Sequence, residues 1–352
     1  MKIRFIDLFC GIGGFRYAME GAAKSNNFET ECVLSSDIDA DCQKAYKENF
    51  GDDPVGDIQN IPSGLIPDHD ILLAGFPCQP FSIIGSRKGF EDARGTLFFE
   101  IARILERKKP KMFVLENVKL LAGHNNGKTL SRILEVLRGL GYFVDFKVLN
   151  ALDFGLPQRR ERIFIVGFRG PGNFSWPHEK IPMKALSQLL EKKIPKKFFA
   201  SKYIREKRNA MVEPTSEPTI WHENKSGHVS AYPYSCALRA GASYNYLLVN
   251  GERRLTPREM LRLQGFPDAF RIVCNDSQTR KQAGNSLPVP VAEAVIKELL
   301  VTYKLGVATN QAFKNRTNPS LNGQMILFEK SGRYGKNTKA KNRRKIQTPI
   351  PA

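Results

Sequence analysis

The sequence predicts an α/β protein: a parallel sheet with helices on both faces, interrupted by a smaller irregular region. Three observations predict it. Between residues 3 and 168 short apolar runs alternate with stretches of helical period, as strands alternate with the helices that cover them. Between 170 and 252 no period holds, and prolines recur at 177, 182, 195, 214, 218 and 233. Beyond 252 helical signals resume, so the chain is expected to return to its first domain. With 352 residues, and about 150 residues per domain, two domains are the expectation.

Taken in order, the candidate strands are the apolar runs Ile3–Phe9, Cys32–Ser35, Ile71–Ala74, Met112–Leu115, Phe143–Leu149 and Ile163–Phe168. Between them Leu97, Phe98, Ile101 and Leu105, then Leu130, Ile133, Leu134 and Leu137, recur at helical spacing and make stripes that face a core. After Phe168 the run Gly170-Pro171-Gly172-Asn173 punctuates the chain. Thr256-Pro257-Arg258-Glu259 is a helix start, and Val291, Ala294, Val295, Ile296 and Leu300 mark an amphipathic helix over 288–303. The expected organisation is one domain over 1–169 and 253–305, a second inserted at 170–252, and a tail at 330–352. No internal repeat is evident.

Charge narrows the class of partner. With 54 Lys+Arg against 35 Asp+Glu the chain carries +19, the footprint of a polyanion binder. The tail contributes Lys330, Arg333, Lys336, Lys339, Lys341, Arg343, Arg344 and Lys345 with no acid among them, and reads as a disordered basic segment. No apolar run approaches the ~20 residues a bilayer needs, and Asp7 stands where a signal peptide is apolar, so a soluble, cytoplasmic protein is expected. The six cysteines, at 10, 32, 42, 78, 236 and 274, form no C-x-x-C pair, which argues against a disulfide framework or a zinc site. No metal is expected.

Three constellations carry chemistry. The first strand runs into Asp7-Leu8-Phe9-Cys10-Gly11-Ile12-Gly13-Gly14-Phe15, a glycine turn opening a helix, where backbone approaches a ligand closely. Asp37 ends the second strand, where a carboxylate can accept both hydroxyls of a ribose; on these residues alone NAD and S-adenosylmethionine are equally compatible. Second, Gly75-Phe76-Pro77-Cys78-Gln79-Pro80-Phe81-Ser82 follows the third strand, and two prolines hold a thiol at the strand's carboxyl end, a candidate nucleophile. Third, Glu116 ends the next strand and faces the same crevice, while Gln158-Arg159-Arg160-Glu161-Arg162 precedes the last strand and puts Arg160 and Arg162 on one face.

With Gly284-Asn285-Ser286 added, these segments closely resemble the DNA (cytosine-5)-methyltransferase family, the C5 cytosine enzymes of bacterial restriction-modification systems, over residues 3–168 and 253 to about 300. The resemblance implies a Rossmann-like S-adenosylmethionine-dependent sheet and a target-recognition domain at 170–252. It implies that Phe9, Gly11, Gly13, Asp37, Ile38, Asp57, Ile58, Pro77, Asn285 and Ser286 bind S-adenosylmethionine, with Phe9 against the adenine and Asp57 at its amino group. Cys78 would be the nucleophile, Glu116 the group at cytosine N3, and Arg160 and Arg162 the positioning residues. Gln79 and Ser82, with Arg239, Ser243, Tyr244, Asn245 and Tyr246 from the polar-aromatic stretch after Leu238, are the expected contacts to double-stranded DNA. One departure stands out: the family's usual Glu-Trp after the second strand is Asp37-Ile38 here, which loosens the expected stacking on the cofactor.

Rival readings come from other classes. A nicotinamide dehydrogenase explains the glycine turn but not the Pro-Cys loop, and a silent DNA-binding module needs neither Cys78 nor Glu116. A tRNA cytosine-5 methyltransferase of the same family is the nearest alternative, although its Cys-Phe-Thr tripeptide is absent. The protein is expected to act as a monomer beside a cognate endonuclease, without a stable complex.

Overall fold

The computed structural model describes residues 1–77, 97–170, 173–213 and 215–316. Six strands form the main sheet: β1 (Lys2–Leu8), β2 (Glu29–Ser36), β3 (Ile71–Gly75), β4 (Met112–Val118), β5 (Phe143–Asn150) and, after the two-residue β6 (Gln158–Arg159), β7 (Glu161–Phe168). Their order is β2-β1-β3-β4-β7-β5. The pairs β1/β2, β1/β3 and β3/β4 are parallel, as the alternation of strand and helix requires.

The expectation of a parallel sheet fails at Ile163–Phe168. β7 runs antiparallel to both β4 and β5. The reason is the connection: a parallel neighbour needs a crossover of about a dozen residues or more, usually a helix, and the chain leaves β5 at Asn150 and enters β7 at Glu161 without one.

Strand alternation sorts the core into two halves. On one face Ile3, Phe5, Ile71, Leu73, Met112, Val114, Phe164 and Val166 pack with α1 (Gly14–Ser25), α2 (Ala40–Phe50) and the first part of a long C-terminal helix. On the other, Ile6, Leu8, Leu72, Ala74, Phe113, Leu115, Ile163 and Ile165 pack with α3 (Leu97–Lys108) and α4 (Lys128–Gly139). The two helical stripes read in the sequence are therefore both core-facing. Glu116 continues the parity of Met112 and Val114, and Arg162 that of Phe164 and Val166, so acid and base share the first face.

The stretch after β7 holds α5 (Lys202–Asn209) and the short strands β8 (Ile220–Glu223), β9 (Val229–Tyr232), β10 (Ser235–Cys236) and β11 (Leu247–Val249). β11, β8 and β9 make an antiparallel sheet around a fully buried Trp221, while β10 pairs with β6. Strands of two to four residues are too short to show a period, and all three residues of β11 are buried. α6 (Pro257–Leu263) starts where expected, on a capping box in which the Thr256 hydroxyl accepts from the Glu259 N–H and Glu259 accepts from the Thr256 N–H. α7 (Asp276–Asn285) and α8 (Val289–Arg316) follow. Residues Met1–Thr309 form one compact unit. Among the described residues no helix is long and apolar enough to cross a membrane.

Candidate active site

A cavity of about 540 Å³ opens at the carboxyl ends of β1 to β4, where open α/β sheets hold their ligands. Its first wall is the glycine turn after β1. Phe9, Gly11 and Gly13 all have positive φ, at 55°, 54° and 85°. A Cβ on Gly13 would stand 2.2 Å from the Phe50 ring, so Gly13 holds α1 against α2 and stays out of the cavity lining, whereas around Gly11 there is open space. The Gly11 N–H donates to Asp37 Oδ2 at 2.8 Å, and the Asp39 N–H to Oδ1 at 2.9 Å, which ties turn to strand end. Burial raises the Asp37 carboxyl above the usual carboxylate range.

Asp57 caps a short 3-10 turn by accepting from the Gln59 N–H at 3.0 Å. Asp57 and Ile58 line the cavity with Ile38, which is 77% exposed, and with Asn285 and Ser286 from the end of α7. Phe9, Gly11, Asp37, Ile38, Asp57, Ile58, Pro77, Asn285 and Ser286 thus meet at one space; of the expected cradle, only Gly13 stands behind it.

At the far end of the same cavity is the acid. Glu116 forms an ion pair with Arg162 Nε at 2.9 Å, both side chains nearly enclosed. Burial pushes the Glu116 carboxyl up, against the pull of Arg162 and then of Arg160. Arg160 itself is turned differently. Its guanidinium donates to the carbonyls of Leu238 and Gly284 at 2.9 Å and of Ser286 at 2.5 Å, while both Arg160 and Arg162 line the cavity, on one face as expected. Arg162 is paired with Glu116, and Arg160 joins Leu238, after β10, to the end of α7.

Pro77 stands exposed at the lip of the cavity, and Cys78 is the next residue in the chain. Cys78, Gln79, Ser82 and the tail 330–352 lie outside the described residues.

Sequence reasoning missed three supporting residues. Asn117, buried, donates to the Phe76 carbonyl at 2.9 Å and so fixes the backbone that leads to Cys78; its signal is an amide at the end of an apolar strand. Gln158 is fully buried, donating to the Leu263 carbonyl at 2.7 Å and accepting from the Leu238 N–H at 3.2 Å. Asp7 is fully buried beneath the glycine turn with no partner for Oδ1, and burial pushes its carboxyl up to about 8. An Asp inside the apolar run of β1 is the signal for it.

Of the expected DNA contacts, those from Arg239 to Tyr246 gather on one turn, where Tyr246 is buried rather than presented. Arg239 lies over the Tyr246 ring at 4.8 Å, Tyr244 is half exposed, and the carbonyls of Ser243 and Asn245 accept from Arg280 and Arg208.

Strand order and cleft together make this a Rossmann-like α/β enzyme, one in which a nucleoside-sized cradle and a buried acid open onto the same space. The model of the C-5 cytosine-specific DNA methylase family matches residues 3–301. The chain belongs to that family. It is 57% identical to the Type II methyltransferase M.NgoBI of Neisseria gonorrhoeae over 83% of this chain and 91% of that one. It is 53% identical to the Type II methyltransferase M.HaeII of Haemophilus aegyptius over 89% and 97%. Among solved structures, the Entamoeba histolytica methyltransferase EhMeth superposes with a TM-score of 0.65 at 18% identity, over 86% of this chain and 98% of that one, which speaks for the fold alone. The family and these relatives favour DNA over tRNA.

Proposed function

We propose that the protein transfers a methyl group from S-adenosylmethionine to C5 of a cytosine within a specific double-stranded DNA sequence, protecting DNA from a cognate endonuclease. The observation that carries this reading is the shared cavity, with the glycine and carboxylate cradle at one end and the buried Glu116–Arg162 pair at the other. Catalysis belongs to 1–169 and 253–305, target choice to 170–252, and sequence-independent phosphate contact to the tail at 330–352.

The cradle suits a nucleoside: open space beside Gly11, a carboxylate at Asp37 for ribose hydroxyls, and a carboxylate at Asp57 for an amino group. S-adenosylmethionine supplies an electrophilic methyl group there, and every other demand falls on the chain. C5 of cytosine is a poor nucleophile. Addition of the Cys78 thiolate to C6 makes the ring an enamine, forming one S–C bond and moving the ring's electron pair toward N3 and C5. Glu116, held by Arg162 and with its carboxyl pushed up by burial, donates a proton to N3 as that charge arrives. After C5 has been methylated, its proton leaves as the C6–S bond breaks, and aromaticity returns. Because C6 is out of reach in a stacked duplex, the base is flipped out at a cost of a few kcal/mol; phosphate contacts by the basic surface hold the opened duplex.

Two measurements test this. Expression in a host lacking cytosine methylation should place 5-methylcytosine at one recurrent sequence. Duplex carrying 5-fluorocytosine at that position should trap the protein covalently, since fluorine cannot leave as a proton does. Cys78→Ser should lose both trapping and methylation while still binding DNA, a hydroxyl being far less ionised than a thiol. A Cys78→Ser protein that methylates at near wild-type rate sinks the reading.

A further inference from the structure

We propose that Arg280, which lies outside the 170–252 stretch, is a positioning residue for target recognition: from α7 its guanidinium holds the 239–246 turn in the shape that presents Arg239 and Tyr244 to DNA. This rests on the reading of 170–252 as the region that chooses the target.

The turn is seated on one face of α7. The Tyr244 hydroxyl donates to Ser277 Oγ at 2.9 Å. Arg280 donates to the carbonyls of Ala242 and of Ser243, the latter at 2.9 Å. At Gly284 the helix backs directly onto the turn, where a Cβ would stand 2.5 Å from the Ala240 nitrogen. Ser277, Arg280 and Gly284 are spaced three and four residues apart, a single helical stripe.

Charge and ring alternate along this seat. Arg239 lies over Tyr246 at 4.8 Å, Arg280 over Tyr246 at 5.8 Å and over Tyr244 at 4.5 Å, and Arg254 over Tyr244 at 5.7 Å. Arg280 is the central member, and only a planar guanidinium can stack on aromatic rings while its edge serves two carbonyls. The turn has no regular secondary structure between β10 and β11. Without this clamp part of its ordering would have to come from DNA binding itself. What the clamp leaves outward is Tyr244, 51% exposed, and the exposed side chain of Arg239, an aromatic face and a guanidinium suited to bases and their edges.

The residues of α7 next to Arg280 are engaged elsewhere. Lys281 donates to Asp39 Oδ2 at 2.7 Å and Gln282 to the Asp41 carbonyl at 3.0 Å, both beside the cofactor cavity. Loss of Arg280 should therefore leave the cofactor wall in place.

The test uses the full-length protein, its mapped target duplex, and duplexes with single base changes. Arg280→Ala should raise the KM for DNA about tenfold and lower discrimination against single changes about tenfold, the scale of one lost bidentate base contact. Its kcat and its affinity for S-adenosylmethionine should stay near wild type. Arg280→Lys should recover part of the KM but little of the discrimination, because a lysine cannot stack as a guanidinium does. Tyr244→Ala, which reads the same contact if Arg280→Ala does not fold, should reproduce the loss, and the double variant should be no worse than either single one. Wild-type KM and discrimination in Arg280→Ala, or strictly additive losses in the double variant, overturn the proposal. A wild-type protein that methylates no cytosine in duplex DNA overturns instead the reading on which it rests.

Discussion

Glu116 keeps its proton to higher pH than an exposed glutamate, because burial raises its carboxyl and the nearby arginines only partly offset that. Its role as donor to N3 is present below that raised pKa and lost as pH climbs through it. The single-turnover methylation rate should therefore show a declining alkaline limb. Glu116→Gln should be slow at every pH and lack the limb; a glutamine variant that retains it would assign the limb to another group. Asp7 makes a separate prediction, about stability. Its carboxyl is pushed up to about 8 in the fold, while in the unfolded chain it titrates near 4. Between those values the unfolded chain releases a proton that the folded protein keeps, so this group's contribution falls with rising pH, at about 1.4 kcal/mol per unit. Urea unfolding across pH 4 to 8 should show Asp7→Asn gaining on the wild type as pH rises; parallel curves would mean Asp7 is ionised in the fold. Sequence shows only that Asp7 interrupts an apolar strand and that Glu116 lies near the end of one, since both shifts come from neighbours distant in the chain.

Elements were legible where they were long. All six strands of the main sheet and the stripes of α3 and α4 stand out because apolar residues repeat over at least one full period. The direction of β7 does not, since a period of two is the same in either sense and only the missing crossover betrays it. β8 to β11 have too few residues to display alternation at all. The junction of β4 and β7 is tightest at Gly167, which pairs with Phe113 and would place a Cβ 2.1 Å from that ring. Gly167→Ala should cost about 1–3 kcal/mol by overpacking, read as a lower urea midpoint. Methylation per folded molecule should persist, because this pair lies toward the far ends of the strands from the cavity. A full loss of activity in folded protein would show the sheet transmitting strain to the site.

In the whole molecule the proposed cofactor cradle was more legible than the proposed recognition surface. Its residues sit at strand ends and turns whose geometry is local, whereas the turn at 239–246 takes its shape from α7, some 40 residues later. Deleting 330–352 should flatten the dependence of DNA affinity on log salt by about 0.9 for each phosphate contact removed, with the methylated sequence unchanged; an unaltered slope would exclude the tail from DNA. Exchanging 170–252 for the matching stretch of a relative with another target should transfer that target, and a folded, active chimera that keeps the original one would refute the assignment. Carrying the donor's residues 254–284 as well should restore the KM for DNA and the discrimination against single base changes. The seat of the turn on α7 therefore bears on inheritance. If α7 seats the turn as proposed, a gene that acquired a new 170–252 region by recombination would receive a mismatched support unless the crossover fell beyond codon 284, so the stretch that lineages could trade intact would be longer than the stretch proposed to read the bases.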